Sequence, residues 1–158
     1  MSSLKTSIEI NAPPERVRMK FLDFANLPTY HTSCFTSLTP NKPGEELQKN
    51  DTVQVVMANG TKFTGVVQQN TPLLFSWTGS IPYVFTGTHS FSFTPSTVTA
   101  GATTFSQEEK FSGALGWWLM GDGALGRGVG IKEKTRVAWR GFDEDLKRVC
   151  EGGVKAGE

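Results

Sequence analysis

The spacing of apolar residues divides the chain into a strand-rich body and a helical C-terminal segment. From 52 to 112 apolar and polar residues alternate, as at Val55 and Met57, which is typical of half-buried strands. Asn59 and Gly60 form the strongest hairpin signal in this region. The predicted strands cover residues 6–10, 34–39, 52–58, 62–69, 73–79, 86–94 and 102–112.

Two short helices are predicted between the first two strands. Pro14 suits a first helical turn, and Val17 and Phe21 follow it at helical spacing. The segment 23–30 predicts a second short helix that ends near Pro28. The predicted order is therefore one strand, two short helices, six antiparallel strands and a long C-terminal helix.

The C-terminal segment predicts an amphipathic helix packed against the sheet. Its charged residues, Asp143 among them, mostly fall outside the apolar face. That face is formed by Ile131, Thr135, Ala138, Trp139, Phe142, Leu146, Val149 and Cys150.

The glycine-rich start of this segment has two interpretations. Either one helix covers 121–151, or the glycines from 121 to 130 mark a loop before a helix that begins later, since an interior glycine costs about 1 kcal/mol relative to alanine. In both cases small residues, Gly128 among them, lie beside the interior. A packed interior tolerates few voids, so this space suggests a ligand pocket.

Composition and charge exclude several functions. A chain of 158 residues is one domain by size, and its net charge of +1 without a Lys/Arg cluster argues against nucleic-acid binding. No apolar run predicts stable membrane insertion, and we expect a cytoplasmic protein. Two cysteines and two histidines give neither a disulfide framework nor zinc spacing, so Cys34 and Cys150 are expected to be buried thiols.

Four segments carry a family resemblance: the opening strand followed by NAPPERV, then DFANLPTYH, the FSW strand, and WRGFDEDLKRV. Together they resemble the START-like helix-grip superfamily, which includes birch-pollen-allergen-type proteins, lipid-transfer START domains and polyketide cyclase/dehydrase-like proteins. The resemblance implies a single α+β domain over 1–158, with about seven curved antiparallel strands gripping the C-terminal helix over an internal cavity. A fold shared by carriers, receptors and enzymes does not name a reaction.

Three polar residues stand out on the predicted inner face of the sheet. His89 shares its face with Phe91, and Gln107 shares the face of the next strand with Glu109. Depending on register, His89 lies opposite Gln107 or Glu109, with Cβ atoms about 4.5–5.5 Å apart. The alternative is that His89 and Glu109 only satisfy each other or backbone groups. Phe75 and Trp77 complete this wall.

Further residues are predicted to bind a ligand at the rim and lining of the cavity. Trp117 and Trp118, between glycines, form a candidate lip, or instead plug the core or contact another subunit. The complete set of predicted ligand-binding residues is Met57, Phe63, Phe75, Trp77, Tyr83, Phe91, Gln107, Trp117, Trp118, Gly128 and Thr135.

His31 is expected to be a surface or capping histidine.

Two functions remain open. The first is a carrier or binding protein for a small hydrophobic, aromatic, polyketide-like or lipid molecule. The alternative is a cofactor-free cyclase or dehydratase in which His89 and Glu109 move protons, burial raising the pKa of Glu109 and a neighbouring charged histidine lowering it again. Superfamily members with stress or cochaperone-like roles give a third class. No metal or cofactor is implied, and a monomer or homodimer is expected.

Overall fold

The computed structural model describes residues 2–81, 85–113 and 130–152. Strands and helices follow one another in the predicted order, and each predicted strand is present. The strands are β1 (Ser2–Ile10), β2 (Phe35–Pro40), β3 (Thr52–Met57), β4 (Lys62–Asn70), β5 (Leu74–Ile81), β6 (Phe85–Pro95) and β7 (Thr103–Ser112). The helices are α1 (Pro14–Leu22), α2 (Ile131–Cys150) and two 3-10 helices, Phe24–Thr29 and Gly44–Glu46.

All seven strands form one antiparallel sheet in the order β1-β7-β6-β5-β4-β3-β2. Each strand pairs with its neighbour in sequence, except that β1 pairs with β7. Register shifts in β2, between Phe35 and Ser37, and in β4, between Val67 and Gln69, interrupt the regular pairing. Such irregularities bend a strand and increase its twist, which helps the sheet to curve around α2. The α+β helix-grip fold is thereby confirmed.

An aromatic cluster fills the core at one end of the sheet. Phe21 of α1 is fully buried at its centre, because the helical period brings Val17, Phe21 and Leu22 onto one face. Ring centroids lie 4.5 Å away at the closest, for Phe91, and 6.4 Å away at the farthest. The partners of Phe21 are Phe24, Phe75, Phe91, Phe93, Phe105 and Phe142.

Helix α2 begins later than one of the two interpretations required. Gly130 has a φ of 64°, in the left-handed region, and the helix starts at Ile131. A single helix over 121–151 is therefore wrong at Gly130, and the helix begins after the glycines. None of the described helices offers an apolar stretch long enough to cross a membrane.

The buried face of α2 includes one charged residue. Trp139, Phe142, Leu146 and Cys150 are buried as expected, but so is Asp143, which is only 2% exposed. The expectation that Asp143 lies off the apolar face is wrong. Its carboxylate is retained in the interior because it has a buried polar partner, described below.

His31 is also buried, and its expected place at the surface is wrong. Its Nδ1 donates to Asp145 Oδ2 of α2 at 2.8 Å, while its Nε2 accepts from the backbone N–H of Cys34 (3.0 Å) and Phe35 (3.2 Å). The imidazole thus joins α2 to the start of β2. Burial lowers the pKa of His31, and the bond to Asp145 opposes that shift. Cys34 and Cys150 are buried free thiols, as predicted.

Candidate functional site

A cavity of about 270 Å³ lies between the sheet and the first half of α2. Most of its lining is apolar and aromatic, and the titratable side chains of the described lining, His89 and Glu109, are neighbours. Four predicted ligand-binding residues, Met57, Phe63, Trp77 and Thr135, line it. The described lining consists of Phe35, Met57, Asn59, Thr61, Phe63, Trp77, Gly79, His89, Glu109, Phe111, Ile131, Thr135 and Trp139.

Three other predicted ligand-binding residues, Phe75, Phe91 and Gln107, are outside this lining. Phe75 and Phe91 are fully buried behind the cavity wall, in the aromatic core around Phe21. Gln107 is also fully buried, between β7 and α2. Four more, Tyr83, Trp117, Trp118 and Gly128, are outside the described residues. That any of these residues binds a ligand stays a prediction.

The imidazole of His89 is held between two aromatic rings. Its centroid is 4.1 Å from that of Phe91 and 4.5 Å from that of Trp139, with interplanar angles of 14° and 28°. Phe91 lies two residues along β6, on the same face, whereas Trp139 comes from α2. Since both faces of the ring are covered, His89 contacts polar groups only through its edge.

Gln107 determines which nitrogen of His89 carries the proton. The Gln107 side-chain nitrogen donates to Asp143 Oδ1 at 2.6 Å and to the Trp139 carbonyl at 3.4 Å; a carbonyl and an ionised carboxylate both accept only. Its oxygen therefore faces His89 Nε2, 3.0 Å away, and Nε2 must donate. Nδ1 is left with a free lone pair. Asp143, whose role no local sequence pattern indicates, thus acts on His89 through Gln107.

The strand register brings Glu109 to the other edge of His89. The two residues are direct partners across β6 and β7, with His89 Nδ1 4.0 Å from Glu109 Oε2. Of the two alternatives for the register, the one that places Glu109 opposite His89 is present; Gln107, two pairs along and opposite Phe91, is the hydrogen-bond partner of His89. A Cβ added at Gly87 would collide with Glu109 Oε1, so the glycine leaves room for the carboxyl group.

Burial shifts the pKa values of His89, Glu109 and Asp143 toward the neutral form of each side chain. It lowers the pKa of His89 to about 3 and raises that of Glu109 to about 7. It also raises the pKa of Asp143 to about 6, against the hydrogen bond from Gln107. The expected lowering of the Glu109 pKa by a charged histidine is wrong, because this imidazole is neutral. Glu109 therefore has the better-matched pKa for proton transfer near neutral pH.

We expect Glu109→Gln to stabilise the protein by about 1–3 kcal/mol at pH 8. Because its pKa is raised, Glu109 keeps its proton in the folded state up to a higher pH than in the unfolded state, where the pKa is 4.5. The stability that this proton contributes is present below pH 4.5 and is lost as pH rises through about 7. Urea unfolding at pH 5 and pH 8 measures it. A gain that is larger at pH 5 would contradict the raised pKa.

Half-buried Glu108→Gln, one residue earlier on β7, is the matched control, and we expect its effect to stay within about 0.5 kcal/mol at both pH values.

In the part of the chain that the structure describes, no group of three or more His, Cys, Asp or Glu side chains is arranged to hold a metal ion.

Comparisons with known proteins agree with this architecture. A family model described as "Polyketide cyclase / dehydrase and lipid transport" matches residues 1–130. No curated protein matches the sequence.

Three solved structures illustrate the likeness. A protein from Chromobacterium violaceum is 16% identical over 96% of this chain and 99% of its own, with a TM-score of 0.64. Ara h 8.0201 is 9% identical over 96% and 98%, with a TM-score of 0.67. The di-domain ARO/CYC BexL from the BE-7585A biosynthetic pathway is 15% identical over 99% of this chain and 51% of its own, with a TM-score of 0.62. At these identities the likeness is one of fold alone.

Proposed function

The chain belongs to the polyketide cyclase/dehydrase and lipid transport family, and from that premise we propose that it binds a small, largely apolar molecule in its cavity, as a carrier or binding protein. One observation carries the proposal: a cavity of about 270 Å³ walled by aromatic rings, with its titratable groups gathered at one place. Sites for small molecules commonly combine an apolar lining with a few convergent polar groups.

The proposal is tested first on the protein as purified. Native mass spectrometry, compared with a denatured sample, detects a retained mass of a few hundred daltons if a ligand is carried through purification. Calorimetric titration with naphthalene then measures binding of an apolar ring directly. A protein that carries no extra mass and does not bind naphthalene would contradict the proposed function.

We expect Phe63→Ala to weaken naphthalene binding about tenfold, because the ring of Phe63 lines the cavity and is only half-buried without ligand. Val137→Ala, at a 60% exposed position on the outer face of α2, is the matched control and should leave the affinity unchanged. Equal affinities of the two variants would place the ligand outside this cavity.

A second candidate function is a cofactor-free cyclase or dehydratase. The observation that favours it is the Glu109 carboxyl, with a pKa of about 7, beside a neutral imidazole whose free Nδ1 lies 4.0 Å away. Glu109 would move the proton, while His89, with a pKa of about 3, would orient the reacting hydroxyl as an acceptor. Loss of turnover with affinity kept in Glu109→Gln and His89→Ala supports the enzyme, whereas loss of affinity alone supports the carrier.

A further inference from the structure

Two polar atoms face the cavity as a pair. His89 Nδ1 and Glu109 Oε2 are 4.0 Å apart, too far for a direct hydrogen bond. One atom placed about 2.8 Å from each of them would bridge the gap at an angle of roughly 90°. The pair is therefore spaced for a single ligand atom that bonds to both.

The hydrogen-bonding character of the pair restricts what that atom can be. Nδ1 accepts only, because Nε2 holds the proton for Gln107. Protonated Glu109 offers one O–H donor. A hydroxyl oxygen donates to Nδ1 and accepts from Glu109 at once, whereas an ether or a ketone leaves Nδ1 without a donor and pure hydrocarbon leaves both groups unsatisfied.

Charge around the pair acts against anionic ligands. None of the described residues that line the cavity is a lysine or an arginine. Among the described titratable groups, His89 of β6 lies 4.0 Å from Glu109, and the Cys34 thiol before β2 is close enough to Glu109 and Asp143 for their charges to raise its pKa. The charged residues of the first turns of α2 are outside the lining: Lys132, Glu133, Lys134 and Arg136. A carboxylate bound here would meet Glu109 without a described lining cation to balance it.

We propose, building on the binding function above, that this cavity selects a ring compound with an uncharged hydroxyl, bound between His89 Nδ1 and Glu109 Oε2, and rejects the corresponding carboxylate. Asp143 and Gln107 are positioning residues for this recognition. They hold His89 in the tautomer that leaves Nδ1 free, and neither of them lines the cavity.

Three probes of matched ring size test the inference by calorimetry at pH 6: naphthalene, 2-naphthol and 2-naphthoate. We expect 2-naphthol to bind about tenfold more tightly than naphthalene, and 2-naphthoate at least about tenfold more weakly than 2-naphthol. Between pH 6 and pH 8.5 the affinity for 2-naphthol should fall severalfold as Glu109 loses the proton that it donates. In Glu109→Gln, whose amide donates but does not ionise, the affinity should not fall across this range, because the other group that ionises here, Asp143 with a pKa of about 6, then holds Gln107 more firmly in place.

Three other outcomes would overturn the inference. Equal affinities for naphthalene and 2-naphthol, or tight binding of 2-naphthoate, overturn the inference and leave the proposed function standing. Preferential binding of 2-naphthylmethylamine that strengthens with pH overturns it in favour of a cationic ligand. Failure of every probe to bind overturns the proposed function and the inference together. His89→Phe, which keeps a ring between Phe91 and Trp139, should abolish the advantage of 2-naphthol over naphthalene.

Discussion

Replacing Gln107 by leucine is expected to destabilise the protein by about 3–5 kcal/mol. The variant keeps a side chain of similar size but removes the only described donor to Asp143 from β7 and the acceptor of His89 Nε2. An ionised carboxylate and an N–H group would then be buried without these partners, and each retains its desolvation penalty. Urea unfolding at pH 7.5 measures the loss.

Two further variants show whether the loss comes from the hydrogen-bonded chain. Gln69→Leu, at an exposed position on β4, should change the free energy of unfolding by less than about 0.5 kcal/mol. Combining Gln107→Leu with Asp143→Leu should recover part of the stability, because the double variant no longer buries a carboxylate without its hydrogen-bond donor. A loss below about 1 kcal/mol in Gln107→Leu alone would contradict a bridging role for the amide.

His31→Ala is expected to cost about 2–4 kcal/mol. The variant leaves the backbone N–H groups of Cys34 and Phe35 without their acceptor and opens a void beside Phe142, whose ring lies edge-on 4.9 Å from the imidazole. It also removes the connection between α2 and the start of β2. Thermal and urea unfolding at pH 7.5 are the measurements.

The pH dependence of this cost has a definite sign. Because burial lowers the pKa of His31 below 6.5, the unfolded chain takes up a proton before the folded protein does. The stability that His31 contributes is therefore greatest above pH 6.5 and falls as the pH is lowered, so the gap between the parent protein and His31→Ala should narrow at pH 5. A gap that widens in acid would contradict the burial of a neutral imidazole.

Asp145→Asn is the matched control for this position, since the amide oxygen still accepts from His31 Nδ1 while the two backbone bonds to Nε2 are untouched. It should cost less than about half of the His31→Ala value.

Local patterns were sufficient to predict the strands. The alternation around His89 predicted a strand over 86–94, and β6 spans Phe85–Pro95. The hairpin at Asn59 and Gly60 was predicted in the same way, since the turn residues and the two-residue alternation of the strands are both visible in neighbouring positions. These signals are short-range, and they also placed His89 and Glu109 on the inner face of the sheet correctly.

The chemistry of the site depended on a contact that such patterns do not contain. Asp143 belongs to α2, and its meeting with Gln107 of β7 is set by how the helix lies on the sheet. Its charge argued for solvent exposure, although its spacing, four residues after Trp139 and three before Leu146, placed it at the edge of the apolar face. A carboxylate at such a spacing was the available signal. The tautomer of His89 follows only once that contact is known.

His31 is a second residue whose long-range contact is not indicated by local patterns. A histidine that follows a short helix is often a cap, and nothing in its neighbourhood indicates the distant partner Asp145. In the structure its ring fills the gap between the end of a 3-10 helix and the beginning of β2.

The order of strands in the sheet also bears on how the chain folds. From β2 to β7 every pair joins consecutive strands, so these pairings close short loops and can form early. The β1–β7 pair is different, because it joins residues near the start of the chain, such as Ile10, to residues around Thr103. We therefore expect strands β2 to β7 to pair first and β1 to pair with β7 late. The docking of β1 is then expected to be the slow, rate-determining step of folding.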